Sequence, residues 1–580
     1  MFDLLIKGGT VVDGSGGASQ VADVAVKDGY IVQVGAINGP AKRTIDAAGK
    51  LVTPGFVDIH THYDGQATWD PVLSPSFHNG VTTIVMGNCG VGFAPARPDK
   101  RRWLIGLMEG VEEIPGTALH DGIKWNWETF PEFLDALNAM PRALDVAALI
   151  AHGPLRAYVM GSRCESEDPA TPQEAAEMAA IVGDAVRSGA FGFSSSRTYY
   201  HRSVDGELVP GTFADEDELV AIGRAIREAG HGIMQVVPLG VAGENPEGHV
   251  DEVRFLRRVA KKAGVEIQFL LGQYNEKPGN WRVMLDEVDA ARKEGTILTP
   301  LVFGRGTGVL FSFQSTNPFG RYPTYVELLK LPNEERLAKL RDPEIRAKIL
   351  SESDPIDDEW KRLSENPWPY TYVMGDGVNY EPDPSESIEG IAIRLGKSPK
   401  EVGYDEMLKD DCSAFLSFPL LGYSGSDLEA VREMLEHPAS ILSGSDAGAH
   451  CNTICDGAVA SFMLTHWTRD RTRGPKIDVE KIVRMQTYDT AQAIGMHDRG
   501  LLKPGYIADI NVIDYDALKV LPPEYVRDLP SGYGRLTQKA EGYVATIKTG
   551  VIISENGVDT GERPGRVVRG GQTAISLAAE

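Results

Sequence analysis

Short apolar runs alternate along the middle of the chain with longer stretches whose apolar residues recur at helical spacing. The helical stretches include residues 172–188, 215–229 and 250–263. Strands that alternate with helices pair in parallel, and eight such units are typical of a closed (β/α)8 barrel. The eight predicted strands lie at 56–62, 81–86, 146–151, 190–194, 232–237, 265–271, 297–303 and 441–445.

Both ends of the chain carry a different pattern, in which apolar runs are separated by turn sequences. Residues 1–52 and 496–580 are therefore predicted to form one small β-sandwich and a C-terminal tail, with the barrel at 53–495. A stretch rich in Glu, Lys, Leu and Arg follows the seventh predicted strand. We expect a helical insertion there, at about 318–410, that covers the barrel mouth.

Composition places the chain among globular enzymes, with 580 residues, 42% apolar and 24% charged. The net charge of −24 argues against binding to nucleic acid or to an anionic membrane surface. No run approaches about 18 apolar residues, so no membrane span is expected. The first residues begin as a strand without a basic segment, which argues against a signal peptide.

Five cysteines occur in this long sequence. An odd and sparse set indicates reduced thiols and a cytoplasmic location. Cys451 and Cys455 lack a second pair of ligands, so a structural zinc site there is not expected. The sequence leaves the oligomeric state open, with a homo-oligomer as one option.

Two histidines end the first predicted strand, in a segment that begins with the turn signal Thr53-Pro54-Gly55. His60 and His62 are two positions apart, so their side chains lie on one face of a strand, with Cα atoms about 6–7 Å apart. Two imidazoles at that distance can share a metal ion. The alternative is a pair of polar histidines at a strand end, and the choice depends on the other strand ends.

Polar residues follow most of the other predicted strands, and barrel enzymes take their catalytic residues from such carboxyl ends. Cys89 follows the second strand and Asp446 the eighth, and His, Cys and Asp are ligands that suit zinc. Asp446 is also our candidate for the general base and then general acid. The candidates for binding substrate are His152, Tyr199, His201, Gln235, Gln273, Asn275, Arg305 and His450. Among these, Arg305 has a planar fork suited to a carboxylate.

Six segments spread over most of the chain carry a family signature, at 6–14, 53–62, 80–90, 189–196, 444–447 and 498–509. On these segments the sequence resembles the N-acyl-D-amino-acid deacylase (D-aminoacylase) branch of the amidohydrolase superfamily. The Gly-Asn-Cys-Gly piece at 87–90 is particular to that branch. The resemblance implies that His60, His62, Cys89 and Asp446 are metal ligands, with the cysteine where other branches use a carboxylated lysine.

The sequence departs from the family pattern at strands five and six, where relatives have a metal-binding histidine at each strand end. Here the strand ends carry no histidine, and His231 lies at the opposite end of its strand. We therefore expect one zinc ion on His60, His62, Cys89 and Asp446 rather than two. The alternatives are that His152 substitutes as a ligand or that the site binds metal weakly. Neutral amides bind zinc poorly but form good hydrogen bonds, so Gln235, Gln273 and Asn275 are expected to contact substrate.

These observations favour a metal-dependent hydrolase that deacylates an N-acyl amino acid or a related small amide. A second hypothesis keeps the fold but changes the substrate to a cyclic amide or a lactone. A third is a non-catalytic relative that binds a ligand at a degraded metal site, a hypothesis that the missing histidines favour. The sequence does not specify the acyl group or the stereochemistry of the substrate.

Overall fold

The computed structural model describes residues 1–165, 167–357, 359–375 and 377–571. The last nine residues of the predicted C-terminal tail, 572–580, lie outside the described residues. No helix in the described part of the chain is long and apolar enough to cross a membrane.

Strands from both ends of the chain form one nine-stranded sheet. The two contributions meet where Leu51–Pro54 pairs antiparallel with Ile510–Ile513. Fully buried aliphatic side chains from both parts, including Ile6, Val52 and Ile510, share one apolar cluster. The two ends of the chain therefore belong to one sheet. Its strands are Phe2–Val11, Gln20–Lys27, Tyr30–Gly35, Ala41–Asp46, Leu51–Pro54, Ile510–Ile513, Tyr543–Lys548, Val551–Glu555 and Val558–Asp559.

The central strands are all parallel and form a three-stranded and a six-stranded sheet. The three-stranded sheet contains Phe56–Asp58, Val81–Met86 and Asp145–Ala148. The six-stranded sheet contains Ile150–Ala151, Gly192–Ser196, Ile233–Val237, Ile267–Leu271, Leu298–Val302 and Ile441–Leu442. A strand thus occurs in each of the eight predicted segments. Their near-continuous burial explains why the sequence showed them as apolar runs.

Main-chain contacts connect the two parallel sheets at both edges. Thr61 and Ala447 form a parallel bridge, and the N–H of His62 donates to the carbonyl of Ala447 at 2.8 Å. At the other edge the N–H of Leu149 donates to the carbonyl of Met86 at 2.9 Å. The segments after the first and the last central strands therefore lie side by side.

Helices connect the central strands, and their starts follow from local sequence. Thr171 accepts from the N–H of Glu174 at 3.3 Å, and the Glu174 carboxylate accepts from the N–H of Thr171 at 2.8 Å. These two hydrogen bonds form a capping box, and the predicted helix begins at the next residue, Pro172. The connecting helices are Arg101–Glu112, Gly116–Gly122, Phe130–Asn138, His152–Met160, Pro172–Arg187, Glu216–Ala229, His249–Ala263, Asn280–Lys293 and Glu429–Glu436.

The long segment between the last two central strands contains the predicted helices together with strands that the sequence did not reveal. Thr307–Phe311, Phe415–Leu421 and Tyr372–Met374 form a three-stranded antiparallel sheet. An aromatic cluster, with Phe313 and Tyr404 at its centre, packs apart from the main core. The helices here are Pro323–Leu328, Asn333–Leu340, Pro343–Ser351, Glu359–Ser364, Ile388–Leu395, Pro399–Met407 and Lys409–Cys412.

Further short elements complete the described chain after the last central strand. The helical turns Val459–Phe462, Val479–Arg484 and Thr490–Ala493 are interleaved with the π-helical turns Met463–Asp470 and Met485–Asp489. Short strands follow at Lys519–Val520, Glu524–Val526, Arg535–Thr537 and Ala540–Glu541.

Candidate metal centre

Two buried histidines lie just beyond the strand Phe56–Asp58. The rings of His60 and His62 are 5.4 Å apart between centroids, and both residues are about 1% exposed. The carboxylate of Asp58 accepts from the N–H of His60 at 3.2 Å and from the N–H and hydroxyl of Ser445. Asp58 therefore fixes the first histidine and the last strand end to each other.

Cys89 lies in a tight turn after the strand Val81–Met86. Its φ of 54° is left-handed, a conformation that costs free energy in a non-glycine residue. The Asn88 amide stabilises the turn by donating to the carbonyls of Thr61 at 2.9 Å and Val85 at 3.0 Å. This turn places the Cys89 Sγ atom 3.2 Å from Nε2 of His60 and 3.6 Å from Nε2 of His62.

Asp446 faces the same two imidazoles from the end of the last central strand. Its N–H donates to the carbonyl of His60 at 3.1 Å, and its φ of 50° is also left-handed. The Oδ1 atom lies 3.2 Å from Nε2 of His60 and 3.6 Å from Nε2 of His62. Its side chain is 19% exposed, so Asp446 forms the open side of the cluster.

These four side chains have the donor set and spacing of a zinc site. The donor atoms of His60, His62 and Cys89 all lie within 4.8 Å of one another. Zinc–ligand bonds of about 2.0–2.3 Å in a tetrahedron put neighbouring ligand atoms roughly 3.3–3.8 Å apart. The four measured separations, 3.2, 3.2, 3.6 and 3.6 Å, are close to that interval. The residues present therefore fit the metal that the sequence predicted.

The protonation states of the metal-free cluster follow from burial and charge. Burial lowers the pKa of His60 to about 4, which leaves a neutral imidazole able to bind metal near pH 7. Burial raises the pKa of the Cys89 thiol well above its ordinary value, so a bound cation is needed to form the thiolate. Burial alone would raise the pKa of Asp446, but His60 and His62 outweigh it and hold that pKa well below its usual range.

A pair of glutamates adjoins the cluster, and neither was predicted from the sequence. Oε1 of Glu112 lies 3.2 Å from Nδ1 of His62, and its Oε2 lies 3.8 Å from Nε2 of His450. Glu113 faces Nδ1 of His450 at 3.6 Å. One sequence signal could have revealed Glu112, because it continues the buried stripe of Leu104 and Met108 at intervals of four.

His450 and His201, two of the residues predicted to bind substrate, lie beside the metal cluster. Burial alone would lower the pKa of His450, but Glu113 and Glu112 outweigh it and raise that pKa to about 9. His201 receives a hydrogen-bond contact from Ser196 at 2.9 Å, between the hydroxyl and Nδ1. Burial, together with the neighbouring His450 and His62, lowers the pKa of His201 to about 3. The first histidine is thus cationic and the second neutral near pH 7.

The model of the amidohydrolase family matches residues 43–376 and 390–554, which is most of the chain. The chain belongs to this family. D-aminoacylase of Alcaligenes xylosoxydans is 26% identical over 98% of this chain and 97% of its own length. An uncharacterized protein of Mycobacterium tuberculosis is 27% identical over 100% of this chain and 97% of its own.

A solved structure extends the comparison to the fold. It is N-acyl-D-glutamate deacylase of Bordetella bronchiseptica complexed with zinc and a phosphonate inhibitor, with a TM-score of 0.63 and 23% identity. The match covers 98% of this chain and 99% of that one. The comparisons confirm the predicted family, its D-aminoacylase-like branch and the predicted class, an amidohydrolase acting on carbon–nitrogen bonds.

Two of the predicted substrate contacts in this amidohydrolase are occupied by protein partners. His152 is fully buried, with Nδ1 2.9 Å from the hydroxyl of Ser195 and Nε2 2.7 Å from Oε1 of Glu218. Both ring nitrogens are therefore engaged, which leaves no free donor for a substrate. Arg305 donates to Asp456 at 2.7 Å and stacks 3.6 Å from the ring centre of Tyr380. It anchors the loop after Asp446 instead of facing open space.

The two strands that lack a terminal histidine in this amidohydrolase have a glutamine within or just after them, and the two glutamines differ in their hydrogen bonds. Gln235 is 2% exposed, and neither its Nε2 nor its Oε1 has a hydrogen-bond partner among the described residues. Gln273 accepts from the N–H of Ser424 at 3.2 Å and donates to the carbonyl of Pro278 at 3.3 Å. Tyr199 and Asn275 are exposed.

Proposed function

We propose that the chain is a zinc-dependent hydrolase that removes the acyl group from an N-acyl amino acid. The observation that carries the proposal is the convergence of His60, His62, Cys89 and Asp446 at tetrahedral spacing. The full-length similarity to a D-aminoacylase supports the substrate class. The intact donor set disfavours the ligand-binding relative with a degraded site.

One metal ion is proposed rather than two. His60, His62 and Cys89 would hold it, since catalytic zinc sites have three protein ligands and an open fourth position. Asp446 would also contact it from the open side, where its side chain is 19% exposed. When bound, zinc lowers the pKa of a water molecule to about 7 and polarises a carbonyl group. The ends of strands five and six, at Val237 and Leu271, offer no imidazole for a second ion.

Asp446 is proposed as the proton-transfer group. Its low pKa keeps the carboxylate ionised near pH 7, so it can accept a proton from the attacking water. It would then give that proton to the leaving nitrogen as the carbon–nitrogen bond breaks. The products would be a carboxylic acid and a free amine, and Asp446 would return to its ionised state.

The substrate carboxylate is proposed to bind on the His450 side of the centre. His450 carries a positive charge near pH 7, and a carboxylate pairs with such a cation. His201 offers a neutral imidazole beside it. Gln235 has unused amide groups that could contact the amide or acyl part of the substrate.

The finer architecture is also proposed. The central strands, which occupy the eight predicted segments, would close into a (β/α)8 barrel over residues 53–495, a closure supported by the bridge between Thr61 and Ala447. Residues 1–52 and the chain from 496 would form the small β-sandwich, and about 318–410 would be the insertion after strand seven. A cytoplasmic location rests on the cysteine content alone.

A hydrolysis screen tests the proposed function. Purified protein is incubated with N-acyl-D- and N-acyl-L-amino acids, with and without added zinc, and release of the free amine is measured. Cyclic amides and lactones form a parallel set. We expect zinc-dependent release from N-acyl amino acids, lost in the double variant His60→Ala, His62→Ala. Turnover of the cyclic set alone would contradict the deacylase proposal.

A further inference from the structure

Glu112 is the last residue of the helix Arg101–Glu112 and is buried there. The next residue, Glu113, is left-handed with a φ of 55°, so the helix ends there. The carbonyl of Glu112 accepts from the N–H of His450 at 2.5 Å. Its side chain is about 2% exposed. Both the main chain and the side chain of Glu112 therefore face the metal cluster and the loop after Asp446.

Close packing fixes this helix end against the loop that carries His201. A Cβ atom on Gly110 would lie 2.3 Å from the carbonyl oxygen of Arg202 and equally close to Ser203. Only glycine allows that approach. The position of Glu112 is therefore set by packing within one turn of its own helix.

The carboxylate of Glu112 lies between two histidines. Oε1 is 3.2 Å from Nδ1 of His62, within ion-pair distance, and both atoms are buried with no hydrogen-bond partner among the described residues. The other ring nitrogen of His62, Nε2, faces Cys89 and Asp446. A carboxylate behind a metal-binding histidine fixes the ring orientation and the tautomer, and raises the basicity of the coordinating nitrogen.

We propose that Glu112 is a positioning residue of the metal centre, which holds His62 with its Nε2 atom toward the ion and tethers His450 at the same site. The inference rests on the proposed function, because it assigns His62 to a metal ion. A buried carboxylate has a high desolvation cost unless it is paired, so a role in helix packing alone would be served better by an apolar residue.

Zinc affinity, measured by competition with a chromophoric chelator, tests the proposal. Glu112→Gln keeps the size of the side chain but removes its charge, and we expect zinc affinity to fall about 10–100-fold. Glu113→Gln is the matched control. Glu113 contacts His450 and Thr453, and among the described residues it forms no ion pair with His62. Its zinc affinity should equal that of the wild type. The absorption of bound cobalt should change in the first variant only.

If Glu112→Gln does not fold, Glu112→Asp is tested in its place. Its shorter carboxylate should also weaken zinc binding. Wild-type zinc affinity in a folded Glu112 variant would overturn the proposal, as would equal losses in the Glu112 and Glu113 variants. Failure of the proposed function has a different signature. In that case the wild type itself would bind zinc no better than the variant His60→Ala, His62→Ala.

Discussion

The Sγ atom of Cys89 lies 3.2 Å from Nε2 of His60, although 29 positions separate these residues in the chain. The contact arises because the strands Phe56–Asp58 and Val81–Met86 are parallel neighbours, so both residues leave the same edge of the sheet. The left-handed turn at Cys89 then directs the thiol toward the imidazole. Strain at this position is consistent with a site that binds a ligand.

Replacing Cys89 should remove most of the zinc affinity. Cys89→Ser keeps the volume but replaces a soft thiolate by a hydroxyl, which is a poor zinc ligand. Zinc content per chain after dialysis should fall from near one toward zero, and the thiolate-to-cobalt absorption band should disappear in cobalt-loaded protein. Cys164→Ser, at another buried thiol, should change neither measurement. Full zinc content in Cys89→Ser would remove Cys89 from the ligand set.

Replacing Asp446 should affect turnover more than substrate binding. Asp446→Asn keeps the shape but cannot accept a proton, and general acid–base groups contribute about 10²–10⁴-fold to rate. We expect kcat on a confirmed substrate to fall by that factor with the circular dichroism spectrum unchanged. The exposed Asp184→Asn serves as the control. If Asp446→Asn kept most of its turnover, the proton-transfer role would belong to another group.

Local patterns were sufficient to predict much of the site and of the central fold. The period of two along a strand predicted that His60 and His62 share a face. In the structure their rings are 5.4 Å apart, but both residues lie just beyond the strand Phe56–Asp58. Glu112 was missed because it comes from a helix, and its contact with His62 depends on how that helix packs. The partners of His152 and Arg305 were missed for the same reason. Glu218 and Asp456 lie 66 and 151 positions away from them.

The insertion shows a second limit of sequence patterns. Its helices were predicted from composition, but the sheet of Thr307–Phe311, Tyr372–Met374 and Phe415–Leu421 was not. These strands pair across more than 40 residues, and two of their aromatic side chains, Phe311 and Phe418, pack into a separate cluster. Strand preference depends on such tertiary partners more than helix preference does, so an isolated run carries little signal.

A buried ionic cluster joins the central strands to the terminal sheet and should determine acid stability. Oδ2 of Asp145 lies 2.7 Å from Nη1 of Arg499 and 2.8 Å from Nζ of Lys548. Burial alone would raise the pKa of Asp145, but Lys548 and Arg499 outweigh it and lower that pKa. A lowered folded-state pKa contributes stability that is complete above the unfolded value of about 4 and is lost as the pH falls below it.

Asp145→Asn should therefore lower the free energy of unfolding near pH 7 by no more than about 3 kcal/mol, because Arg499 and Lys548 lose one carboxylate partner but each keeps another. The difference from the wild type should shrink when both proteins are measured near pH 3, where the wild-type carboxyl begins to protonate. Glu327→Gln, which breaks an exposed pair with Lys330, should change stability by less than about 1 kcal/mol at either pH. A difference that did not depend on pH would contradict the charge argument.

Replacing Gln235 by an apolar residue should stabilise the fold and weaken substrate binding. Its buried amide has no partner among the described residues, so Gln235→Leu should raise the free energy of unfolding by about 1–3 kcal/mol. If the amide contacts substrate, KM should rise while kcat and zinc content stay the same, since a ground-state contact is lost.

Gln268→Leu is the matched control on the neighbouring strand, where Gln268 pairs with Gln235 in register. Gln268 donates to the carbonyl of Ala493 at 2.6 Å, so its loss should destabilise the protein and leave KM unchanged. Destabilisation by Gln235→Leu with an unchanged KM would show that the amide is structural and that substrate binds elsewhere.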